Sequence, residues 1–349
     1  TLQHIVAQNP QVEFHFFFDS GIEKEFLFGN NVVAHNLFPP AKHALLNIAW
    51  FEISVKHYLK KINPDLFFSP DGNLCSGWNG KQYGVIHDIN FFHNPGDLKF
   101  SNRKYYNYFF PRFAKKATRL GTVSEYSKQD ICTSFGVEKS KIDVVYCGIN
   151  SFFHPVDKNI IDRVKNKYTQ NRSYFLFIGA LSPRKNVAGL MKAFDLFKKE
   201  NDSDIKLLIA GGGMYKTTKL HDFREQLQYA NDIIFTGRID DIEINEILAS
   251  ALAFVFVPFF EGFGIPLIEA MQCDVPIIAS NVTSVPEVVG DAALLVDPRN
   301  VEEIKTAMYR VAIDENLRLL LIQKGRIRKE FFSWEKTTNL LWTSIQKCL

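Results

Sequence analysis

Two acidic residues interrupt an apolar, glycine-containing stretch, FVPFFEGFGIPLIEAM, at residues 256–271. Glu261 follows a β-branched and aromatic run, and Glu269 comes eight positions later, in a segment that Pro266 predicts to begin a helix. A carboxylate accepts hydrogen bonds from neighbouring hydroxyls, and charge-assisted bonds of this kind contribute roughly 1.5–3 kcal/mol each. The pair is therefore suited to hold diols, whereas a capping glutamate and a surface glutamate are the alternative for either residue alone.

Backbone amides lie between the two carboxylates. Gly262, Phe263 and Gly264 offer N–H groups at the start of the predicted helix, and Pro266 and Leu267 follow in its first turn. Amides at a turn of this kind suit a hydroxyl-rich, anionic ligand. This loop and the first helical turn are therefore candidate binding residues.

A second candidate site lies where the predicted strand in FLFIGALSPRKNVAGL ends. Gly179 permits a close approach of the backbone to a ligand. Arg184 and Lys185 stand at the entrance of the next helix, where their charges add to the partial positive charge of its free N–H groups. The pair suits a diphosphate, with a solvated Arg-Lys turn as the alternative.

Two more strand ends in the second half contain glycine. IAGGGMYK, residues 209–216, is neither a Walker loop nor GxGxxG, so a nicotinamide oxidoreductase is disfavoured. FTGRIDD places Gly237 before a polar turn, and we expect Asp240–Asp241 to cap a helix over 242–250 rather than to bind a metal. The Asp-x-Asp at Asp202 and Asp204 is predicted to be a solvated turn.

In the first half, the segment GVIHDINFFHNP places His87 and Asp88 at the end of a predicted strand. From these residues alone, a core or capping histidine is the favoured interpretation of His87.

The elements that position these residues follow an alternating pattern. Strand-like runs alternate with amphipathic stretches, such as Val187–Glu200, Ile242–Ser250 and Val301–Asp314, which is typical of α/β layers around parallel sheets. The predicted strands are VEFHFFFD, DLFFSP, YGVIHD, RLGTVS and KIDVVYCG in the first half, and SYFLFIGA, IKLLIAGG, IIFTGR, AFVFVPF, VPIIAS and ALLVDP in the second.

A polar break around residues 151–172 predicts two doubly wound domains, 1–155 and 156–333. Residues 334–349 are predicted to be a helix that crosses back to the first domain. Ligands of such sheets bind at the carboxyl ends of the strands, so we expect the site in a cleft between the domains.

Composition limits the class of protein. A chain of 349 residues with 46% hydrophobic residues is long enough for two domain cores, and a net charge of +3 gives no reason to expect a nucleic-acid partner. Its five cysteines have no CxxC spacing, which indicates reduced thiols in a cytoplasmic protein rather than a disulfide framework or zinc site. The longest apolar run, 247–260, is too short to cross a bilayer.

Two short basic stretches occur in the first half, KHYLKK at 56–61 and RFAKKATR at 112–119. Solvated helix faces explain them adequately. The alternative is peripheral contact with anionic lipid at the inner face of a membrane, or with a phosphorylated acceptor.

Taken together, GALSPRKN, FTGRIDD, the Glu-x7-Glu element and SVPEVVGDAALLVDP closely resemble the donor-binding domain of GT-B glycosyltransferases of the retaining family-4 type, the glycosyl transferases group 1. The resemblance covers about residues 174–335, and the motifs are specific in combination. The first half resembles the family's acceptor domain more loosely. The chain begins in a helix-like stretch, so the family's first strand and glycine-rich turn have no counterpart in it.

The resemblance implies transfer of a hexose from a nucleoside diphosphate sugar to a hydroxyl, with the anomeric configuration retained and without a metal or other cofactor. Glu261 would hold the sugar hydroxyls and Glu269 the ribose diol. Arg184 and Lys185 would stabilise the charge that develops on the diphosphate, and His87 would approach the sugar and its phosphate from the opposite wall.

The resemblance favours GDP-mannose as donor, with UDP-glucose or another UDP-sugar as the alternative. The acceptor would be a saccharide or lipid-linked saccharide of cell-surface polysaccharide or lipopolysaccharide. Two other functions remain open, a nucleotide-sugar epimerase of GT-B type and a nucleotide-sugar binding protein without catalysis.

Overall fold

The computed structural model of this chain describes residues 1–41, 43–212 and 217–349. The chain divides into two compact units, of which the first comprises Thr1–Gly148 with Trp334–Leu349 and the second Ile149–Ser333. The division lies earlier in the chain than the expected boundary at 155. The end of the glycine-rich segment IAGGGMYK, at 213–216, lies outside the described residues.

The first unit has parallel strands that fall into two sheets. Its elements are β1 (Phe14–Phe18), β2 (Val32–Asn36), β3 (Phe67–Ser69), β4 (Gln82–Val85), β5 (Arg119–Thr122) and β6 (Ile142–Val144), with α1 (Leu2–Gln8), α2 (Ala44–Ala49), α3 (Lys56–Ile62), α4 (Asn90–His93), α5 (Phe100–Lys116) and α6 (Glu125–Phe135). β1 pairs with β2, and the other strands form a sheet in the order β3-β4-β5-β6. A π-helical segment, Trp50–Val55, joins α2 to α3.

The second unit is built on one parallel sheet. Its elements are β7 (Tyr174–Ile178), β8 (Lys206–Ala210), β9 (Ile233–Gly237), β10 (Ala253–Phe256), β11 (Ile277–Ser280) and β12 (Ala293–Val296), with α7 (Lys158–Thr169), α8 (Val187–Glu200), α9 (Thr217–Glu225), α10 (Asp241–Ala249), α11 (Ile265–Gln272), α12 (Val285–Val289), α13 (Val301–Ile313) and α14 (Glu315–Lys329). The strand order is β12-β11-β10-β7-β8-β9. This is the doubly wound order, in which the direction of winding reverses between β7 and β10.

The central strands of the second unit are apolar on both faces, as strands covered by helices on each side must be. Phe175 and Phe177 of β7 and Phe254 and Phe256 of β10 are fully buried. The rings of Phe177 and Phe256 are stacked across the two strands with their centroids 6.3 Å apart. This packing fixes the two strands whose ends carry the candidate site.

The last helix, α15 (Trp334–Gln346), packs within the first unit. The Tyr83 hydroxyl donates to Ser344 at 2.8 Å, and the Ser344 hydroxyl donates to Asp143 at 2.5 Å. The Lys347 ammonium donates to the same carboxylate at 2.7 Å. The helix also closes an apolar cluster, which consists of Ile5, Tyr83, Val85, Val145, Leu341, Ile345 and Cys348.

The structure confirms the predicted α/β class, and each predicted strand is present. β2 was missed because VVAHN has polar residues on both of its faces. The helix at 187–200 has the predicted bounds, whereas the helix predicted to begin at Pro266 begins one residue earlier, at Ile265.

The structure also shows the surroundings of Asp240, Asp202 and Asp204. Asp240 accepts a hydrogen bond from the Glu243 N–H at 2.8 Å, so the predicted helix cap is confirmed for this residue. Asp202 is exposed, and Asp204 forms an exposed ion pair with Arg172. Among the residues described, no helix is long and apolar enough to span a membrane.

Candidate functional site

The candidate site of the second unit lies where the sheet changes its direction of winding. The loop after β7 and the loop after β10 are joined there by backbone, since the Phe259 N–H donates to the Arg184 carbonyl at 2.8 Å. Ligands of doubly wound sheets bind in the crevice outside the strand ends at this point. The strand order therefore brings together residues that are far apart in the sequence.

The side chains of Arg184, Lys185 and Glu261 form one ion cluster in this place. Arg184 Nη1 lies 2.8 Å from Glu261 Oε2, and Lys185 Nζ lies 2.5 Å from the same oxygen. Arg184 also donates to the Phe260 carbonyl at 3.1 Å. From the sequence, the carboxylate and the cations are expected to bind different parts of a ligand, whereas in the structure they are in direct contact with one another.

Lys185 is the most enclosed of the three side chains. Its side chain is 8% exposed, compared with 26% for Arg184. Its ammonium group lies 4.6 Å from the centroid of the Phe256 ring, which adds a cation–π contact. A charge held in this way, in a region of low dielectric, interacts strongly with any anion that enters the site.

The backbone of Glu261 is held by the segment that follows β11. The Glu261 N–H donates to Thr283 Oγ1 at 3.3 Å, and the Ser284 hydroxyl donates to the Glu261 carbonyl at 2.8 Å. Neither residue was singled out from the sequence, because a Thr-Ser pair in NVTSVP gives no signal of its own. Their role follows from the adjacency of β10 and β11.

Asn186 is a third residue of the site that was not predicted from the sequence. It has a left-handed backbone, with φ of 55°, and its buried side-chain amide donates to the Val257 carbonyl at 3.1 Å and to the Pro298 carbonyl at 2.7 Å. The amide ties the loop after β7 to the loops after β10 and β12. An Asn directly after the two cations and before a helix was the available signal, since Asn tolerates this conformation.

Glycines lie at or after the ends of four strands of the second sheet, β7, β8, β9 and β10. Gly264, with φ of 98°, ends the loop and precedes α11, and a Cβ there would meet Leu267 Cδ1 at 2.8 Å. A Cβ on Gly211 would lie 1.9 Å from the Gly179 carbonyl oxygen, so these two strand exits are in close backbone contact. Gly237 has φ of 73°, and its carbonyl accepts from the Gly211 N–H at 2.9 Å.

Glu269 differs from Glu261 in its surroundings. It lies on α11, and burial raises the pKa of its carboxyl group from 4.5 to about 7. Within the described ranges, no side chain or backbone group forms a hydrogen bond or ion pair with this carboxylate. A half-buried carboxylate with unused acceptors is suited to a ligand with hydroxyl donors.

The other candidate residues of this loop are held by packing and by backbone hydrogen bonds. The Phe263 ring packs edge-on against Phe332, with the centroids 5.6 Å apart. Leu267 is fully buried, and its N–H donates to the Gly264 carbonyl at 2.9 Å, so its side chain is a core residue and not a ligand contact. Gly262 is buried and Pro266 is half-buried in the first turn of α11.

His87 and Asp88 lie in the first unit, directly after β4. The exposed His87 ring forms a hydrogen bond through Nε2 with the Pro70 carbonyl at 3.1 Å. Asp88 accepts from the Asn90 N–H at 2.9 Å and so supports the start of α4. His87 is therefore a surface residue at a strand end and not the core histidine that its sequence segment alone favours.

The structure thus brings Gly179, Arg184, Lys185, Gly237 and Glu261–Glu269 to one edge of one sheet, and His87 with Asp88 to the edge of another. Among the described residues, no group of three or more His, Cys, Asp or Glu side chains is arranged to hold a metal ion. The ion cluster of Arg184, Lys185 and Glu261 and the carboxylate of Glu269 are the candidate binding groups of the second unit.

Family profiles match nearly the whole chain. The profile "Glycosyl transferases group 1" matches residues 158–328, and the profile "Glycosyltransferase Family 4" matches residues 2–151. The two matches correspond closely to the second unit and to the main part of the first.

Individual proteins agree with the profiles. The O-antigen chain mannosyltransferase B of Escherichia coli is 32% identical over 255 residues, which are 73% of this chain and 67% of that protein. The serotype-specific mannosyltransferase WbdA of Escherichia coli is 26% identical over 235 residues, 65% of this chain but only 28% of its own length. The structure of Anabaena HepE with UDP and glucose has a TM-score of 0.76 at 17% identity, over 99% of this chain and 95% of HepE.

Proposed function

Because this chain belongs to the group 1 glycosyltransferases of family 4 and has their GT-B α/β fold, we propose that it transfers a hexose, mannose, from a nucleoside diphosphate sugar to a hydroxyl. The acceptor is a saccharide or lipid-linked saccharide of the cell surface, and the anomeric configuration is retained. The name of the Escherichia coli relative, an O-antigen chain mannosyltransferase, supports the sugar and the pathway class. The presence of UDP and glucose in the crystal structure of HepE supports a nucleotide-sugar donor.

The observation that carries the proposal is the ion cluster of Arg184, Lys185 and Glu261 at the switch point of the second sheet. In the transfer, the bond between the anomeric carbon and the diphosphate oxygen breaks, and negative charge grows on that oxygen. Two fixed cations stabilise this charge without having to move first. Stabilisation of transition-state charge by such preorganised groups is the largest single source of rate acceleration in many enzymes. Their present partner, Glu261, holds them in place before the donor binds.

The two carboxylates bind different parts of the donor. Glu261 accepts hydrogen bonds from the sugar hydroxyls, and Glu269, which has unused acceptors, accepts from the ribose diol. The acceptor hydroxyl forms the new bond to the anomeric carbon on the face from which the diphosphate departs, and its proton passes to the departing phosphate oxygen. His87 orients the sugar and its phosphate, and no metal or other cofactor is required for these steps.

The transfer is tested directly with GDP-mannose, UDP-glucose and a panel of saccharide acceptors. Release of nucleoside diphosphate only in the presence of an acceptor identifies a transferase. Epimerised donor formed without an acceptor identifies an epimerase, and binding without release identifies a binding protein. The one-bond carbon–hydrogen coupling at the anomeric centre of the product distinguishes retention from inversion.

The donor base is tested by thermal denaturation with nucleoside diphosphates and their sugars. A ligand present at a hundred times its dissociation constant stabilises the protein by about 2.7 kcal/mol. We expect guanosine diphosphate to give the largest shift, and a larger shift with uridine diphosphate would replace GDP-mannose by a UDP-sugar as donor.

The exposed basic residues of the first unit are suited to peripheral contact with the cytoplasmic face of a membrane. Lys60 and Lys61 at the end of α3 are exposed, and so is Arg112 of α5, whereas Arg119 is held in an ion pair with Asp143. Each basic residue near an anionic surface contributes about 1 kcal/mol. Flotation with phosphatidylglycerol vesicles tests this contact, and binding that survives Lys60→Glu with Lys61→Glu would contradict it.

A further inference from the structure

The turn between β11 and α12 contains a residue with an unusual backbone. Thr283 has φ of 57°, in the left-handed region, and it directly precedes Ser284, the N-cap of α12. A left-handed backbone is unfavourable for L-residues in general, and for a β-branched residue it is a genuine outlier. The conformation of Thr283 therefore requires an explanation.

The other non-glycine residues with positive φ have a simpler explanation. In the part of the chain that the structure describes, they are Asn63, Gln170, Asn171, Asn186 and Asp274. All of them lie at or just after the end of a helix, where a left-handed residue is a common way to terminate it. Thr283 differs from them in its β-branched side chain and in its place before a helix rather than after one.

The side chain of Thr283 bonds to the candidate site. Its hydroxyl oxygen accepts from the Glu261 N–H at 3.3 Å, while the buried hydroxyl of the next residue, Ser284, donates to the Glu261 carbonyl at 2.8 Å. The hydroxyl oxygen of Ser284 also lies 3.3 Å from the Phe263 carbonyl oxygen. Two consecutive residues thus fix both backbone polar groups of Glu261 and hold the loop after β10.

The residue type at position 283 suits this bond and not the backbone. Glycine would adopt the left-handed conformation without steric cost, but it has no hydroxyl to accept from the Glu261 N–H. Strained conformations persist only where the surrounding structure holds them, and they are concentrated at functional sites. Glu261 belongs to such a site, since its carboxylate forms the ion cluster with Arg184 and Lys185.

We propose that Thr283 is a positioning residue for the transfer. Its hydroxyl, held in place by an unfavourable backbone, fixes the backbone of Glu261 so that the carboxylate is presented to the sugar of the donor. The assignment of this carboxylate to the sugar rests on the proposed function, whereas the bond between Thr283 and Glu261 does not depend on it. Activity should therefore follow the hydroxyl of residue 283, and stability should follow the branch at its Cβ.

Three variants of the full chain separate the hydroxyl from the branch. Thr283→Ser keeps the hydroxyl, Thr283→Val keeps the branch, and Thr283→Gly keeps neither. We expect turnover close to that of the wild type in Thr283→Ser, and a decrease of about two- to tenfold in Thr283→Val and Thr283→Gly, the equivalent of one lost hydrogen bond. Affinity for the nucleoside diphosphate alone, measured by calorimetry, should be unchanged in all three, because this ligand lacks the transferred sugar.

Thermal denaturation gives the second measurement. Thr283→Gly removes the unfavourable conformation that Thr283→Val retains, so its Tm should be higher by about 2–4 °C. The more stable of these two variants would then be as impaired as the less stable one, which a purely structural role does not produce. Thr306→Val is the matched control, because Thr306 is an exposed threonine of α13 whose hydroxyl donates to the Glu302 carbonyl at 2.8 Å. Its turnover should equal that of the wild type.

Turnover that follows Tm, with Thr283→Gly as active as the wild type, would overturn the proposal. An impairment of Thr283→Ser as strong as that of Thr283→Val would overturn it as well, because the hydroxyl would then not be the acting group.

Hydrogen exchange of the Glu261 amide tests the same bond without any substrate. Exchange should be about two- to tenfold faster in Thr283→Val and Thr283→Gly than in the wild type and Thr283→Ser. Equal rates in all four proteins would overturn the proposal. A wild type with the expected exchange pattern but without transfer to any acceptor would contradict the proposed function and leave the position of Glu261 assigned to Thr283. The two proposals therefore fail separately.

Discussion

The strand ends of the two units hold their polar residues in different ways. In the second unit, the side chains of Arg184, Lys185 and Glu261 bond across two loops, and Lys185 and Glu261 are 76 residues apart in the sequence. In the first unit, the His87 ring bonds to the Pro70 carbonyl and the Asp88 carboxylate accepts from the Asn90 N–H. The second unit therefore joins two loops through an ion cluster that is fixed before the ligand arrives, whereas these two residues of the first unit bond to backbone groups.

This difference explains why the two halves resemble their family to different degrees. A fixed arrangement requires particular residue types at particular positions, and a cation pair with a spaced glutamate pair is visible as a motif. Side chains that bond to backbone groups leave no such pattern, because any residue type can supply a backbone carbonyl or amide. The second half was accordingly recognised from residues 174–335, and the first half from short strand-end segments.

The largest effect is expected for Lys185→Ala, which removes the enclosed cation of the fixed arrangement. Turnover should fall on the order of a hundredfold, because one preorganised charge-stabilising donor is lost. Lys198→Ala is the matched control, since Lys198 is also a buried lysine of the second unit and is ion-paired with Asp232 at 2.8 Å. Steady-state kinetics on folded protein check this, and turnover of Lys185→Ala close to that of the wild type would end the assignment.

Glu269→Ala tests the carboxylate that the structure leaves without a partner. Affinity for the nucleoside diphosphate should fall roughly tenfold to a hundredfold, the equivalent of one charge-assisted hydrogen bond. Glu315→Ala, at an exposed glutamate of the same unit, should leave the affinity unchanged. Calorimetry that gives the same affinity for both variants would contradict the ribose role.

His87→Ala tests the other side of the comparison. We expect turnover to fall roughly tenfold, the equivalent of one lost hydrogen bond, while nucleoside diphosphate affinity stays within twofold. His57→Ala is the control, because His57 is also an exposed histidine of the first unit. Equal kinetics for the two variants would remove His87 from the site.

The raised pKa of Glu269 predicts proton release on binding. With a pKa of about 7 in the free protein, the carboxyl group is half protonated near pH 7, and hydroxyl donors from the ligand favour its ionised form. Binding should therefore release roughly half a proton at pH 7, more at lower pH and none well above it, and affinity should fall as the pH drops below 7. Titration calorimetry in buffers of different ionisation enthalpy measures this, and Glu269→Gln should abolish it.

The smallest expected effect is that of a chelator. If Arg184 and Lys185 stabilise the leaving diphosphate, EDTA should leave turnover unchanged. The rate of nucleoside diphosphate release with and without EDTA checks this. Loss of activity that magnesium restores would mean that the cation cluster is insufficient.

The sequence was sufficient for the α/β class and for the strands of the second sheet, whereas the roles of the candidate site residues stay predictions. Apolar strand runs such as SYFLFIGA and AFVFVPF identify buried parallel strands without knowledge of their neighbours. The sequence could not show that Arg184 and Lys185 contact Glu261, because that contact depends on the adjacency of β7 and β10. Asn186 and Ser284 were missed for the same reason, since their bonds join loops from different strands.

The segment Trp334–Leu349 determines when the first unit can complete its fold during synthesis. Its helix α15 completes the apolar cluster with Ile5 and Tyr83 and bonds to Asp143, yet it is synthesised after the whole of the second unit. Domains fold as units during synthesis. The first unit therefore cannot complete its core until the whole of the second unit has been synthesised, although most of its residues are translated first.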